Sequence, residues 1–343
     1  MSNKRVFWAI FAAGLAGDGE TTFTEIHGLQ SVGINTSFNL EQVFEIGEIS
    51  IYENVEDIPE IEVTLEKVLD GYPLIYHLAT PNAISPSLSG RGSEKCIFTM
   101  SVFGDAQDSA SGTPLSQTTC SGMYPSSLSY TLPVDGNCTE SVTLVGQNKV
   151  WNYSGAGYTF EGNIFDNEDS PASGVQRRQN VVFGSGSNVS LLPWGPGGVP
   201  GVSPGGFNIE SDGVYAASVQ NVTVSADLGR EALNELGRRN PYFRYITFPV
   251  EVTTDIEINS KNGDLTEATE EGVAGNGNNL FNQRIRLALK DGTVIDTGDK
   301  NKLSSVSQTG GEAGGGNATI TYSFTTYNDL NVTNVNSDPA GLS

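Results

Sequence analysis

From Val32 to Leu40 the chain alternates, with Val32, Ile34, Phe38 and Leu40 on one face of an extended segment and Ser31, Asn35, Ser37 and Asn39 on the other. A period of two marks a strand with one face against a core and one in water. The period returns in EIEVTLEKVL, where Ile61, Val63 and Leu65 alternate with Glu60, Glu62, Thr64 and Glu66. Asn54 to Pro59 supply the turn before it, and Asp70 and Gly71 close it. A second acidic strand is predicted in RYITFPVEVTTDIEI, with Val250, Val252, Ile256 and Ile258 opposed to Glu251, Thr253, Asp255 and Glu257.

Hairpins are predicted around Asp135-Gly136, between two β-patterned runs, and around Asp291-Gly292 in RIRLALKDGTVI. Ala318, Ile320, Tyr322 and Phe324 predict a last strand. One helix is predicted, over Leu228 to Leu236 in DLGREALNELG, with Asp227 as N-cap, Leu233 and Leu236 on one face, and Gly237 as the stop ahead of Pro241. PWGPGGVPGVSPGGF, residues 193–207, has no periodicity and reads as a long loop. Strands resume after it in the same style. We therefore expect one protomer over 1–343, with residues 86–213 as a loop-rich β excursion and candidate subdomain.

Composition sharpens this picture. Forty-one glycines among 343 residues suit short strands and many turns, and disfavour a helical bundle. Eighteen Lys and Arg against forty Asp and Glu leave a formal charge of −22, which repels nucleic acid and anionic membranes. Three cysteines, Cys96, Cys120 and Cys138, form neither a disulfide framework nor a C-x-x-C metal pair. Reduced structural thiols are expected, with a Cys120 to Cys138 bridge as the alternative. MSNKRVFWAIFAAGLAG carries Lys4 and Arg5 ahead of an apolar run from Val6, as a signal peptide does, but a buried first strand is the expectation. The run falls short of the ~20 apolar residues that cross a bilayer, so no membrane anchor is expected.

Catalytic chemistry finds little footing. GVSPG at 201–205 is a formal G-x-S-x-G, yet Pro204 and its Gly and Pro neighbours do not form the strand-turn-helix elbow that exposes such a serine. The two histidines, His27 and His77, both precede Ser203, whereas that hydrolase fold places its histidine after the nucleophile. Glu60 and Glu62 pair formally as a glycosidase dyad would, but residues two apart on a strand more often make a solvated face. DNEDS at 166–170 lacks EF-hand spacing, and GSGSN at 184–188 lacks the lysine and helix of a phosphate cradle. No catalytic residue, metal or cofactor is expected. Trp151, Tyr153, Tyr158 and Phe160 are expected as core or interface aromatics; the first three also suggest a sugar platform, and with it the alternative of a β-sandwich carbohydrate-binding or other appendage protein. Arg230, Arg238, Arg239 and Arg244 cluster near the predicted helix, with Arg177 and Arg178 on an earlier loop, where they could pair with carboxylates of a second copy.

Three stretches carry a resemblance: SVGINTSFNLEQVFEIGEISIYENVEDIPEIEVTLEKVLDGYPLIY, YPSSLSYTLPVDGNCTESVTLVGQNKVW and LGREALNELGRRNPYFRYITFPVEV. Together they resemble tail tube proteins of tailed bacteriophages, over about residues 5 to 260. The resemblance implies a mainly β fold, an antiparallel β-sandwich or partial barrel with one flanking helix, long loops and hairpins. It implies homo-hexameric rings, stacked into a tube that conducts DNA during ejection without binding it specifically. Partners would be other tail proteins such as sheath, completion and baseplate proteins, and the location the virion tail, assembled in the host cytoplasm.

A conduit should not grip its cargo, and carboxylates repel phosphates where basic residues would bind them. Glu45, Glu48, Glu60, Glu62, Glu66, Glu251, Asp255 and Glu257 are therefore the candidate lumen-facing acids. Arg230, Glu231, Arg238, Arg239 and Arg244 are the candidate inter-subunit residues.

Overall fold

The computed structural model describes residues 10–104, 114–153, 159–160, 174–182, 189–193, 218–238, 240–259, 282–310 and 316–334. The first strands are β1 (Phe11–Gly17), β2 (Thr22–Glu25), β3 (Leu29–Ser37), β4 (Leu40–Phe44), β5 (Ile51–Glu56) and β6 (Glu60–Val68). Two one-turn helices, α1 (Ile75–Leu78) and α2 (Leu88–Arg91), lead into β7 (Cys96–Val102), β8 (Ser116–Pro133), β9 (Thr139–Gly146), β10 (Asn148–Tyr153) and β11 (Thr159–Phe160). The remainder are β12 (Ser218–Asp227), β13 (Arg230–Leu233), β14 (Phe243–Ile246), β15 (Glu251–Asn259), β16 (Arg286–Ala288), β17 (Val294–Asp296), β18 (Lys302–Thr309), β19 (Thr319–Tyr327) and β20 (Asn331–Thr333).

The 18-residue strand β8 joins two halves of one large sheet. Its first residues, Ser116 to Ser121, pair with β7 and β10, whereas Ser127 to Pro133 pair with β9 and β12. Between them Gly122 takes φ +65° and the register with β9 shifts between Pro125 and Ser127, the devices by which a strand bends from one layer to another. One half runs β11-β2-β1-β7-β8. The other runs β3-β6-β9-β8-β12-β15-β19-β18, antiparallel at every step. The fold is mainly β and sandwich-like, with no closed barrel among the described strands.

Alternation does what the sequence indicates. Ile61, Val63 and Leu65 of β6, Val142 and Leu144 of β9, Val224 of β12, Ile256 of β15 and Tyr322 and Phe324 of β19 enter one core with Leu15, Ile75 and Phe98. Each such side chain contributes about 1.5–3 kcal/mol on burial. β1 is a buried strand, as the apolar run near the N-terminus predicts. The hairpins at Asp135-Gly136 and Asp291-Gly292 both form, with φ +118° at Gly136 and +88° at Gly292. Cys96, Cys120 and Cys138 are buried free thiols, so the Cys120 to Cys138 bridge does not form. Burial pushes the Cys120 and Cys138 thiols up to about 11.

Two expectations are corrected. The helix over Leu228 to Leu236 is absent: β12 ends at Asp227, Gly229 turns the chain at φ +48°, and Arg230 to Leu233 pair with Phe243 to Ile246 as the hairpin β13-β14. Leu236 is fully exposed, so the apolar stripe that suggested a helix faces no core. Tertiary anchoring overrides propensity. Leu228 is buried beside β8, and extended backbone lets the Arg230 guanidinium reach two carbonyls elsewhere in the chain. The second correction concerns Phe38 and Leu40. They continue the apolar face of β3 in sequence but are 70% and 58% exposed, because β3 ends at Ser37 and the chain enters a separate hairpin, β4-β5.

Candidate functional site

In antiparallel pairs, directly opposed residues point to the same side of the sheet. The register therefore gathers the outward positions of eight strands onto one face. Glu62 lies opposite Asn35 on β3, and Glu66 opposite Ser31 on β3 and Ser141 on β9. Ser129 and Thr131 of β8 oppose Ser141 and Thr139 of β9 on one side and Ser225 and Thr223 of β12 on the other. Thr223 and Asn221 then oppose Asp255 and Glu257 of β15, which oppose Ser323 and Thr321 of β19. The two acidic strands predicted from sequence, β6 and β15, thus lie in one sheet and present their acids to the same side.

The opposite face of this sheet is the core, so the acidic face is the one open to solvent. Hydroxyls fill the ground between the acid rows, and Lys302, on the edge strand β18, is the one cation among this sheet's outward strand positions in the described residues. A hollow of about 350 Å³ near its middle is lined by Ser127, Ser129, Ser141, Ser225, Thr253, Asp227 and Glu251. With Leu128 and Ala226 also in the lining, the hydroxyls and two carboxylates make a repulsive surface for phosphate. Glu60, Glu62, Glu66 and Glu251 are exposed, and Asp255 and Glu257 half-buried. Glu60 also accepts from Arg244 Nη1 at 3.2 Å, at the end of its strand.

Glu45 and Glu48 occupy the turn of the β4-β5 hairpin, not the sheet face. This hairpin extends the β3-β6 pair beyond the sheet, and every residue of its two strands is exposed. It carries Phe38, Leu40, Phe44, Ile51 and Tyr52 along its length and a fully exposed Ile46 and Ile49 at its turn. Exposed apolar surface of that extent marks an interaction site. The exposure of this hairpin is what sequence reading missed. Its signal was present: apolar residues at Phe44, Ile46, Ile49 and Ile51 with glutamates interleaved match no single buried face.

The arginine cluster divides. Arg230 is engaged within its own chain, its Nε donating to Pro125 O at 2.7 Å and its Nη1 to Gly92 O, with the guanidinium 5.3 Å from the Tyr124 ring centroid. Burial lowers its pKa to about 10. Arg244 is buried and paired with Glu60. Glu231 and Arg238 are exposed, Arg238 standing 3.4 Å from Glu235, and Arg239 lies outside the described residues. Arg177 Nε donates to Asn137 Oδ1 at 2.9 Å, and Arg178 stands 3.7 Å from Asp135, both at the β8-β9 turn.

The remaining sequence candidates find no common site. His27 stacks on Tyr72 at 4.1 Å, and His77 Nε2 lies 3.0 Å from Val332 O in the core. Trp151 is half exposed on β10 with Lys149 Nζ 5.8 Å from its ring centroid, while Tyr158, Ser203 and the stretches 166–170 and 184–188 lie outside the described residues. Among the described residues no group of three or more His, Cys, Asp and Glu is arranged to hold a metal, and no helix is long and apolar enough to cross a membrane.

No protein-family model and no curated protein sequence matches the chain. Among solved structures it is similar to a chain of the anti-feeding prophage baseplate, with TM-score 0.34 and 14% identity over 45% of this chain and 98% of that one. It is also similar to a chain of the anti-feeding prophage cap, which terminates that particle's tube, with TM-score 0.33 and 13% identity over 45% of this chain and 94% of the other.

Proposed function

We propose that this chain is a non-enzymatic structural protein of a phage-type tail, whose copies close into rings that stack into a tube. The acidic sheet face lines the lumen, and DNA passes without being held. The observation that carries this reading is the register that places β6 and β15 on one uncovered face, with Glu62, Glu66, Glu251, Asp255 and Glu257 on the same side. In a tube the charge keeps phosphates off the wall, because no counterion release rewards contact with carboxylates.

The β4-β5 hairpin supplies the stacking element. It projects along the strand direction by about 20 Å, taking about 3.4 Å per residue for its strands, and it exposes apolar residues that require a partner copy. Its glutamates, Glu45 and Glu48 at the turn, stay at the polar rim of such a contact. Other tail components would meet the two ends of the stack, and the working location is the virion tail. The resemblance implies six copies per ring.

Negative-stain microscopy of the purified chain tests the proposal: stacked rings or tubes are expected. Dispersed particles at all concentrations, together with glycan binding, would favour a carbohydrate-binding appendage protein instead.

A further inference from the structure

We infer that Lys67 and Asp70 are the partners of an intramolecular isopeptide bond, an amide between the lysine Nζ and the aspartate Cγ that forms in the folded core with loss of water. The inference does not depend on the tube reading; it concerns a covalent modification within the chain itself. Lys67 lies at the end of β6 with its side chain fully buried, and Asp70, in the turn that follows, has a side chain only 8% exposed. Lys67 Nζ stands 3.2 Å from Asp70 Oδ1. Charges taken out of water carry a desolvation penalty that a single pairing offsets only in part. Condensation removes both charges from the core at once.

The two reacting groups are held in place from several sides. Asp70 Oδ1 accepts the Tyr72 N–H at 3.1 Å, a donor that polarises the carboxyl and holds the oxyanion as it develops. Gly28, at φ +71°, leaves room for Asp70 Oδ2, with which a Cβ at that position would collide. Lys67 Nζ also donates to Pro73 O at 2.9 Å, so two contacts fix the nitrogen beside the carbon it attacks. Asp291, whose charge is felt at Lys67 and Asp70, is no competitor as acyl donor: its oxygens accept from Thr293 N at 2.9 Å and Thr293 Oγ1 at 3.0 Å.

Glu140 is the proton carrier. It is fully buried, and the sheet register sets it directly opposite Lys67. Burial raises its pKa, which suits it to hold a proton that an exposed carboxylate would release. The Lys67 ammonium passes a proton to the Glu140 carboxylate, and the freed amine attacks Asp70 Cγ to form the C–N bond. Glu140 returns that proton to Oδ2, a second proton reaches Oδ2 from the nitrogen, and the C–O bond breaks to release water. One ammonium and one carboxylate become one amide and one water, and Glu140 ends as it began. Neither oxidant nor cofactor enters. Leu69, Leu74 and Ile75, all buried around this turn, keep bulk water from reversing the step.

The test is the mass of the full chain, purified in its folded state and then denatured for mass spectrometry. The unmodified protein is expected to weigh one water less than its sequence, and its tryptic map to lack cleavage after Lys67. Lys67→Arg, which keeps the cation but offers no amine, is expected to show its full sequence mass. Asp70→Asn is expected to lose ammonia in place of water, which identifies residue 70 as the acyl donor. Glu140→Gln, folded by circular dichroism, is expected to keep its full mass; a lost water there would overturn the part given to Glu140. A folded, unmodified chain at its full sequence mass would overturn the inference whatever the variants do. A lost water with trypsin still cutting after Lys67 would overturn it too, since that is the mark of cyclisation at Asp70-Gly71.

Discussion

The carboxylate of Glu140, on β9, accepts the backbone N–H of Ile75 at 2.7 Å and so caps the first turn of α1 from a strand 65 residues away. It also accepts from Tyr76 N at 3.2 Å and Tyr130 Oη at 3.0 Å, and it opposes Lys67 across β6 and β9. Lys67 and Glu140 are both fully buried, and Lys67 Nζ is satisfied by Pro73 O at 2.9 Å and Asp70 Oδ1 at 3.2 Å. Burial raises the pKa of Glu140, whereas Lys67 and the three donors oppose that rise. Glu140→Ala removes one side of a buried charge network and is expected to cost about 3–5 kcal/mol, read as a lower denaturation midpoint. Glu140→Gln, which keeps the shape and one acceptor oxygen but turns an NH2 toward a group that donates, is expected to cost less than the alanine.

A pH effect follows from Glu25 on β2, where burial holds the carboxyl at about 7. Its folded pKa lies above the unfolded value near 4.5, so the native state binds the proton more tightly and stability falls as pH rises between the two. Thermal melts of the unassembled protein should show that fall. Glu25→Gln should flatten it and raise the melting temperature at pH 8.

Most of the sheet was legible in the sequence, because one buried face enforces a period of two. Ile61, Val63 and Leu65 against Glu60, Glu62 and Glu66 leave no other arrangement for β6. The order of strands was not legible. That β6 and β15 share one face depends on β9, β8 and β12 lying between them, and non-local pairing writes no local pattern. The false helix at 228–236 has a physical cause too: its leucines satisfy a helical stripe, but the decisive interactions are those of Arg230 with carbonyls of Pro125 and Gly92, 105 and 138 residues away. Phe38 and Leu40 misled in the same manner, since alternation reports a face but not what covers it.

Stacking is expected to depend on the hairpin turn. Ile46→Ser with Ile49→Ser removes exposed side chains that make no core contact, so the fold should change by less than about 0.5 kcal/mol. Assembly should need at least about tenfold more protein if each isoleucine contributes about 1 kcal/mol or more on burial against a partner. Light scattering across a dilution series measures the shift.

Reversing the charge of the sheet face should turn a repelling wall into a binding one. Glu62→Lys, Glu66→Lys and Glu257→Lys together change the face by about six charges, and the assembled variant is expected to retain duplex DNA at 50 mM salt and release it by about 200 mM, as counterion release requires. The unmodified assembly is expected to retain none at either concentration, by co-sedimentation.

The orientation of the acidic face within the ring tests the account most directly. A cryo-electron microscopy map of the assembled particle at side-chain resolution is expected to show Glu62, Glu66, Asp255 and Glu257 facing the lumen, with the β4-β5 hairpin seated on the next ring. A lumen lined by Lys and Arg, or a ring with this face turned to the outside, would contradict it.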